Sequence, residues 1–317
     1  MAQLLASQHL SVRLWARRAE VATQIRQQRQ NRDYLPGLTL HPGVEPTSDL
    51  ADAVANVDWT LWAVPSQRFR ELLHTAAPHL PDVPLVIAAK GIETSSLMTM
   101  HEVVIDTLGP EAREQTLALS GPSFAREIVL GHPTAVVLAC AREAVARRIG
   151  RLMFCDSFRA YPSTDVVGVE MGGALKNVIA IAAGGLVGLG LGENSHAALV
   201  TRGLAEINRM AVAKGADPLT LSGLAGMGDL VLTCAGTQSR NRSVGKAIGE
   251  GKSVRAALDS VHQVAEGVET ARSAHALARQ LGVEVPIIEA VYQVLYEDLP
   301  VRQALLNVVR RPPVKEF

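Results

Sequence analysis

Residues 166–185, VVGVEMGGALKNVIAIAAGG, mark the point at which the sequence pattern changes. From this stretch onward the spacing of apolar residues favours long helices, and no segment has the alternation of a convincing strand. We therefore expect an all-α C-terminal domain. Start and stop residues predict three of its helices: one from Asn194 or Ser195 to Lys214, one beginning at Asp217 and Pro218, and one from Thr270 to Leu281.

Before this stretch, short apolar runs alternate with helix-like segments up to about residue 160. Several runs are almost continuously apolar, which is typical of parallel strands covered on both faces. The alternation predicts an α/β domain with a parallel sheet. We place the domain boundary so that the two domains comprise residues 1–162 and 163–317. The predicted strands are SVRLW (11–15), WTLWAV (59–64), PLVIAAK (84–90), TLALS (116–120), AVVLAC (135–140) and FRAY (158–161).

The composition excludes several classes of partner. In the 317-residue chain, 31 Lys and Arg balance 31 Asp and Glu, so no global field attracts nucleic acid or an anionic membrane. The longest apolar run, residues 178–192, is shorter than the roughly 20 residues of a membrane span. Cys140, Cys155 and Cys234 form no CxxC pair and have no metal-ligand spacing, and a signal-peptide pattern is absent. These features predict a reduced, cytoplasmic protein without a metal.

Lys176 is the most informative polar residue, because it lies in a mostly apolar helical stretch. One interpretation is a lysine whose ammonium group reaches water along its own aliphatic stem. The other is a proton-transfer lysine whose pKa burial has lowered towards neutrality. Gly172 and Gly173, one turn earlier, would leave room for a ligand to approach.

Two loops that follow predicted strands are candidate ligand sites, since ligands of open α/β sheets bind at the carboxyl ends of strands. In AAKGIE (88–93), Lys90 is either a ligand contact or an ordinary surface lysine. In LSGPSFARE (119–127), Gly121 and Ser123 precede a short helix whose free N–H groups suit an anion. Many such loops have a purely structural role.

The densest polar stretch is GMGDLVLTCAGTQSRNRSVGK (226–246). It contains Asp229 among glycines, followed by Ser239, Arg240 and Asn241. A guanidinium with amide and hydroxyl neighbours fits a phosphate monoester through charge-assisted hydrogen bonds. The alternative is a solvated loop that caps the next helix. We favour a phosphorylated small molecule.

Taken in order, these motifs resemble the bacterial-type NAD(P)-dependent glycerol-3-phosphate dehydrogenases. The resemblance runs from Val12 to the C-terminal helices and is most specific at EMGGALKNVIAI and at GDLVLTC with SRNR. The matching segments are AAKGIE (88–93), LSGPSFARE (119–127), EMGGALKNVIAI (170–181), GLAEINRMAVAKGADP (203–218), GMGDLVLTC (226–234), SRNRSVGK (239–246) and VAEGVET (264–270).

The resemblance implies interconversion of sn-glycerol 3-phosphate and dihydroxyacetone phosphate for glycerophospholipid synthesis, by a homodimer using NADP(H) or NAD(H) and no metal. Lys176 would be the proton acceptor and donor, with Lys90 as a second cation near the substrate. Asn177 and Asp229 would orient the two lysines. The resemblance further implies substrate contacts from Gly121, Ser123, Ser239, Arg240 and Asn241, and cofactor contacts from Lys90, Ala125, Arg240, Val264 and Glu266.

The preference for one cofactor can be predicted from LWARR (14–18). In NAD-specific Rossmann domains an acidic residue at the end of the second strand holds the ribose 2′-hydroxyl, whereas arginine accommodates a 2′-phosphate. Arg17 and Arg18 occupy that place, so NADP(H) is favoured or at least accepted. By resemblance, Tyr34 lies near the adenosine end.

The chain departs from the family at its beginning. The family starts with a strand and a GxGxxG-type turn that approaches the pyrophosphate, and residues 1–11 match only the helix that follows such a turn. We therefore expect a Rossmann-like domain without its first strand, weak binding of NADP(H) and low stability. On this interpretation Met1 is an internal methionine of a longer reading frame.

Two other functions remain open at this point. One is a related hydroxyacid or ketopantoate-type dehydrogenase, which would share the lysine chemistry but not the SRNR block. The other is a non-catalytic, cofactor-deficient relative that serves in binding or oligomer formation. The presence of Lys90, Lys176, Asp229, Arg240 and Asn241 together favours catalysis.

Overall fold

The computed structural model describes residues 1–261 and 264–312, which form two compact units. The α/β unit comprises Met1–Val64, Arg68–Ala89 and His101–Val166. The helical unit comprises Val167–Phe317 together with two short segments from the first half of the chain, Pro65–Gln67 and Lys90–Met100. Lys90 is therefore part of the helical unit.

The α/β unit contains two sheets, and its first strand in chain order follows a short helix. β1 and β2 form a parallel pair, with Val12 opposite Val44, and the other five strands form a second sheet in the order β3-β4-β5-β6-β7. Among the residues that the structure describes, β1 and β3 are not paired with each other. The strands are β1 Val12–Trp15, β2 Val44–Thr47, β3 Thr60–Trp62, β4 Leu85–Ile87, β5 Thr116–Ser120, β6 Thr134–Cys140 and β7 Phe158–Ser163.

The predicted parallel sheet is confirmed except at one place, where β5 and β6 are antiparallel. The segment between them, residues 121–133, contains only a five-residue helix, too short to carry the chain back along the sheet. β2 was not predicted, since VEPT is short and contains Pro46, which is tolerated here at the edge of a sheet. The helices of this part are α1 Ala2–Ser7, α2 Ala19–Gln28, α3 Leu50–Val54, α4 Phe69–Ala76, α5 Met100–Leu108, α6 Ala125–Val129 and α7 Glu143–Met153.

The helical unit is built around one long apolar helix. Its helices are α8 Val166–Gly188, α9 Glu193–Ala213, α10 Asp229–Ala235, α11 Arg240–Gly249, α12 Val254–Asp259, α13 Glu266–Leu281, α14 Pro286–Tyr296 and α15 Val301–Val309. By length and composition α8 could cross a membrane, which corrects the expectation that every apolar run is too short. However, 83% of its most apolar 18-residue window is buried, as in a core helix.

Two of the three predicted helices are confirmed, although α13 begins at Glu266, four residues before the predicted Thr270. α9 and α13 end at Ala213 and Leu281, and Gly282 stops α13 in the left-handed region at φ 66°. The prediction of a helix that begins at Asp217 and Pro218 is wrong. Asp217 instead accepts a hydrogen bond from the Leu219 N–H at 2.8 Å, and only a 3₁₀ turn, Thr220–Ser222, follows.

α8 and α11 cross with their backbones in contact, through glycines on both helices. A Cβ placed on Gly184 would lie 2.0 Å from the Arg242 carbonyl oxygen, and one on Gly245 would lie 1.9 Å from the Ile181 carbonyl oxygen. Since such distances are not allowed for any side chain, glycine is required at these positions. The crossing fixes the start of α11 against the middle of α8, where Lys176 and Asn177 lie.

Glu206 is a buried carboxylate that accepts hydrogen bonds from the first free N–H groups of α14, those of Ile287 at 2.8 Å and Ile288 at 3.1 Å. Burial raises its pKa to about 7, although these N–H groups act in the opposite direction. The folded protein therefore favours the protonated carboxyl. Its contribution to the free energy of unfolding is fully present below the unfolded pKa of about 4.5 and is lost as the pH rises through about 7.

We expect the stability difference between the native chain and a Glu206→Gln variant to change by about 3 kcal/mol between pH 4.5 and pH 7, since one pKa unit corresponds to about 1.4 kcal/mol. The native chain should lose stability relative to the variant as the pH rises. Urea unfolding of both proteins across this range measures the difference. A constant difference would mean that Glu206 does not change its proton occupancy on unfolding.

Candidate functional site

Two lysines share one buried carboxylate in the helical unit. Asp229 Oδ2 accepts a hydrogen bond from Lys90 Nζ at 2.5 Å, and Asp229 Oδ1 accepts one from Lys176 Nζ. The side chains of Asp229, Lys176 and Lys90 are 1%, 9% and 19% exposed. The structure therefore brings together three of the predicted residues from distant parts of the chain.

The local fold explains why Asp229 lies beside Lys176. Residues Leu224–Gly228 form a π-helical turn that ends where α10 begins, at Asp229. Gly172 lies one turn before Lys176 on α8, and a Cβ there would be 2.6 Å from the Ala225 carbonyl oxygen. The space predicted for a ligand at Gly172 is thus occupied by this turn. A larger residue at 172 would push the turn, and Asp229 with it, away from α8.

Thr233 is a site residue that the sequence did not reveal. Its hydroxyl accepts a hydrogen bond from Lys176 Nζ at 2.8 Å and donates one to the Asp229 carbonyl oxygen at 2.6 Å. The spacing of four residues from Asp229 on a helix was the available signal. Asp229 and Thr233 together occupy two of the three hydrogen-bonding positions on the Lys176 nitrogen.

Burial lowers the pKa of Lys176 to about 8. Asp229 acts in the opposite direction, and the Lys90 ammonium acts in the same direction as burial. Burial alone would raise the pKa of Asp229, but its attraction to Lys176 and Lys90 holds that pKa below the usual value. The cluster therefore contains a permanent anion and a lysine that titrates close to neutral pH.

Asn177 and Asn241 extend the cluster towards the start of two helices. Asn241 Nδ2 donates to Asn177 Oδ1 at 3.0 Å, and Asn241 Oδ1 accepts from the Gly267 N–H in the first turn of α13, also at 3.0 Å. Ser239 is the N-cap of α11 and accepts from the Arg242 N–H, while Arg240, the first residue of that helix, is exposed. A helix start with an exposed guanidinium suits an anion.

Glu266, the first residue of α13, is held by Ser66, whose hydroxyl donates to Glu266 Oε2 at 2.6 Å. Ser66 is 1% exposed and belongs to the segment Pro65–Gln67 of the helical unit. Burial raises the pKa of Glu266, with the Ser66 hydrogen bond opposing it. Ser66 was not predicted as a site residue, because nothing in the neighbouring sequence indicates a partner 200 residues away. Val264, just before α13, is 53% exposed.

The remaining predicted residues lie in the α/β unit. Arg17 and Arg18 follow β1, and Arg18 is the N-cap of α2, while Tyr34 is 54% exposed. Gly121 directly follows β5 with φ 139°, and a Cβ there would be 2.9 Å from Val136 Cα, so glycine is required. Ser123 donates its hydroxyl hydrogen to the Gly121 carbonyl oxygen at 2.8 Å, and Ala125 is the first residue of α6.

These donors fit one part of a dinucleotide better than the other. Two arginines and a phenol after β1 suit the adenosine end and a 2′-phosphate. Residues 1–36 contain no glycine, so they offer no glycine-rich turn for a pyrophosphate. Within residues 1–261 and 264–312, no group of three or more His, Cys, Asp and Glu side chains could hold a metal ion.

Comparisons with known proteins identify the family of the chain. The sequence model of the NAD-dependent glycerol-3-phosphate dehydrogenase N-terminus matches residues 1–146, and that of the C-terminus of the same enzymes matches residues 165–306. Among curated relatives, the glycerol-3-phosphate dehydrogenase [NAD(P)+] of Geobacter sulfurreducens is 53% identical over 98% of this chain and 93% of its own length. That of Geobacter metallireducens is 52% identical over 100% of this chain and 95% of its own.

A solved structure gives the same result in three dimensions. The glycerol-3-phosphate dehydrogenase of Coxiella burnetii superimposes with a TM-score of 0.93 at 36% identity, covering 98% of this chain and 94% of that one. The match confirms the fold of a Rossmann-like domain followed by a helical domain. Fold, family matches and identity agree: the chain belongs to the NAD(P)-dependent glycerol-3-phosphate dehydrogenase family.

Proposed function

We propose that this chain interconverts sn-glycerol 3-phosphate and dihydroxyacetone phosphate, with Lys176 as the group that accepts or donates the proton. The observation that carries the proposal is the buried cluster of Lys176, Asp229 and Lys90. A lysine whose pKa is about 8 can exist in both protonation states near neutral pH, as acid–base catalysis requires. The family membership and the names of the relatives support the same reaction.

In the oxidation, neutral Lys176 takes the hydroxyl proton from C2 of glycerol 3-phosphate as the C2–O bond becomes a carbonyl. NAD(P)+, when bound, would supply the acceptor for the hydride from C2. Asp229 and Thr233 fix the Lys176 nitrogen, so its remaining position is available to the substrate oxygen. Lys90 supplies a positive charge that stabilises negative charge developing on that oxygen.

For the substrate phosphate, we infer a site formed by Ser239, Arg240 and Asn241 at the start of α11. An exposed guanidinium at a helix N-terminus supports this assignment. We likewise assign substrate contacts to Gly121 and Ser123, and an orienting role to Asn177. The cofactor contacts that we propose are Arg17, Arg18, Tyr34, Lys90, Ala125, Arg240, Val264 and Glu266.

We infer that Arg17, Arg18 and Tyr34 contact the adenosine end of the cofactor, as arginines after this strand suit a 2′-phosphate. NADP(H) is then favoured through Arg17 and Arg18. A domain division at residues 162/163, a homodimer, a cytoplasmic location and the absence of membrane and nucleic-acid partners complete the proposal.

Enzymatic assays of the purified chain test the proposed reaction. We expect the purified chain to oxidise glycerol 3-phosphate and to reduce dihydroxyacetone phosphate, followed by the absorbance of reduced nicotinamide. An Arg240→Gln variant should raise the KM for both substrates with a smaller effect on kcat, because a phosphate contact is made in ground and transition states alike. Preferential reduction of ketopantoate or of a non-phosphorylated hydroxyacid would contradict the proposal.

The pH dependence of the two directions should be opposite. Oxidation needs neutral Lys176, so its kcat/KM rises with pH to a plateau above about 8, while kcat/KM for reduction falls above the same pH. Asp229 raises the pKa of Lys176 and Lys90 lowers it. Asp229→Asn should therefore shift the kcat/KM profiles of both directions to lower pH, and Lys90→Met should shift both profiles to higher pH. If neither variant shifted the pH profiles of kcat/KM, the titrating group would be one other than Lys176.

A further inference from the structure

We propose that Asp33 sets the cofactor preference of this chain, by competing with a 2′-phosphate for Arg18 and by accepting a hydrogen bond from an unphosphorylated ribose 2′-hydroxyl. The inference rests on the proposed function, since it concerns the adenosine end of the dinucleotide. Neither the family match nor the motifs assign a role to Asp33.

Arg18 is engaged by an anion from its own unit. Arg18 Nη2 forms an ion pair with Asp33 Oδ2, and both side chains are about half exposed, at 50% and 48%. The hydrogen bond and charge of Asp33 raise the pKa of the Arg18 guanidinium, with a smaller contribution from Tyr34. Arg18 therefore meets a carboxylate at the place where arginine is expected to meet a 2′-phosphate.

The loop that carries Asp33 is held in place by several contacts. The Leu35 N–H donates to the Asn31 carbonyl oxygen at 2.7 Å, which closes a turn around Asp33. Arg126 on α6 donates to the Pro36 carbonyl oxygen at 3.0 Å. The loop thus presents the carboxylate to Arg18 from a fixed turn 15 residues further along the chain.

The charges after β1 explain how both cofactors can be accepted. Within the described residues Arg18 is paired with Asp33, whereas Arg17, its neighbour in the chain, has no salt-bridge partner. A 2′-phosphate gains from both arginines but is repelled by Asp33, or displaces it from Arg18. A 2′-hydroxyl has no charge, and an aspartate is the acceptor that NAD-binding domains use for it. Asp33 therefore weakens binding of the ligand with a 2′-phosphate and favours binding of the ligand with a 2′-hydroxyl.

The experiment measures binding of two fragments that differ only in the 2′-phosphate, 2′,5′-ADP and 5′-AMP, to the 317-residue chain by calorimetry. We expect Asp33→Asn to tighten binding of 2′,5′-ADP roughly threefold to tenfold, the range of a partly screened charge contact, and to leave binding of 5′-AMP unchanged or weaker. The gain should shrink in 1 M salt, where the screening length is about 3 Å. Arg18→Gln should weaken 2′,5′-ADP selectively.

Asp58→Asn is the matched control, because Asp58 is exposed, lies in the same unit and carries the same charge. The Asp58→Asn variant should bind both fragments with affinities within about twofold of those of the native chain. An equal gain from Asp58→Asn and Asp33→Asn would assign the effect to net charge and overturn the proposal. So would an unchanged affinity ratio in Asp33→Asn, or no binding of 2′,5′-ADP by any variant. Since the fragments need no substrate, these outcomes are separate from a failure to oxidise glycerol 3-phosphate.

Discussion

Replacing Lys176 by methionine is expected to lower kcat for oxidation of glycerol 3-phosphate by about 10² to 10⁴, the usual contribution of a positioned acid or base. Methionine has a similar length but no proton to exchange. Asp229 keeps its ion pair with Lys90 in this variant, so the buried carboxylate is not left without a partner. Substrate KM should change far less than kcat, since the phosphate contacts at α11 are untouched.

Lys176→Arg separates proton transfer from simple charge. Arginine keeps a positive charge but does not release its proton in the accessible pH range. We expect it to be as inactive as the methionine variant, and its residual rate should not rise above pH 8. A Lys176→Arg enzyme within tenfold of the native kcat would show that the site needs only a cation at this position. Thermal melting of both variants verifies that they remain folded.

Gly184→Ala is expected to destabilise the helical unit by about 3 kcal/mol or more. At an ordinary helix position alanine is favoured over glycine by about 1 kcal/mol. Here the new Cβ would lie 2.0 Å from the Arg242 carbonyl oxygen, so α8 and α11 must separate. Overpacking of this kind costs about 1–3 kcal/mol, and contact with backbone rather than a side chain leaves little room for relaxation. Urea unfolding measures the loss.

The neighbouring residue provides the control. A Cβ on Gly185 would make only an ordinary contact, 3.4 Å from Val301 Cγ1. Gly185→Ala should therefore leave the free energy of unfolding within about 1 kcal/mol of the native value. If the two alanine variants were equally stable, the helices would not cross as closely as the structure indicates. Because the same crossing positions Asn241 against Asn177, Gly184→Ala should also raise the KM for glycerol 3-phosphate.

The sequence predicted the architecture well because each domain has its own pattern. Short apolar runs separated by helices indicated the α/β unit, and the long stretch around Lys176 indicated α8. The relative direction of neighbouring strands was harder to predict. Nothing in the composition of AVVLAC distinguishes a parallel strand from the antiparallel β6, since direction depends on the length of the connection after β5.

The site was predicted as separate pieces. Lys176, Lys90 and Asp229 were each identified as candidates from their local surroundings, but only the resemblance placed them together. Thr233 and Ser66 were missed, because a hydroxyl becomes informative only when its partner is known. Gly172 was identified correctly as a place of close approach, yet the approaching group is a backbone carbonyl rather than a ligand.

The position of Lys90 in the helical unit affects how cofactor choice and proton transfer can evolve in this enzyme. The two charged groups that shift the pKa of Lys176, Asp229 and Lys90, lie in that unit, whereas Arg18 and Asp33 lie in the α/β unit. Substitutions that alter the choice of cofactor therefore leave the acid–base equilibrium of the reaction untouched. Selection can therefore adjust the choice between NAD(H) and NADP(H) without changing the charged groups around Lys176.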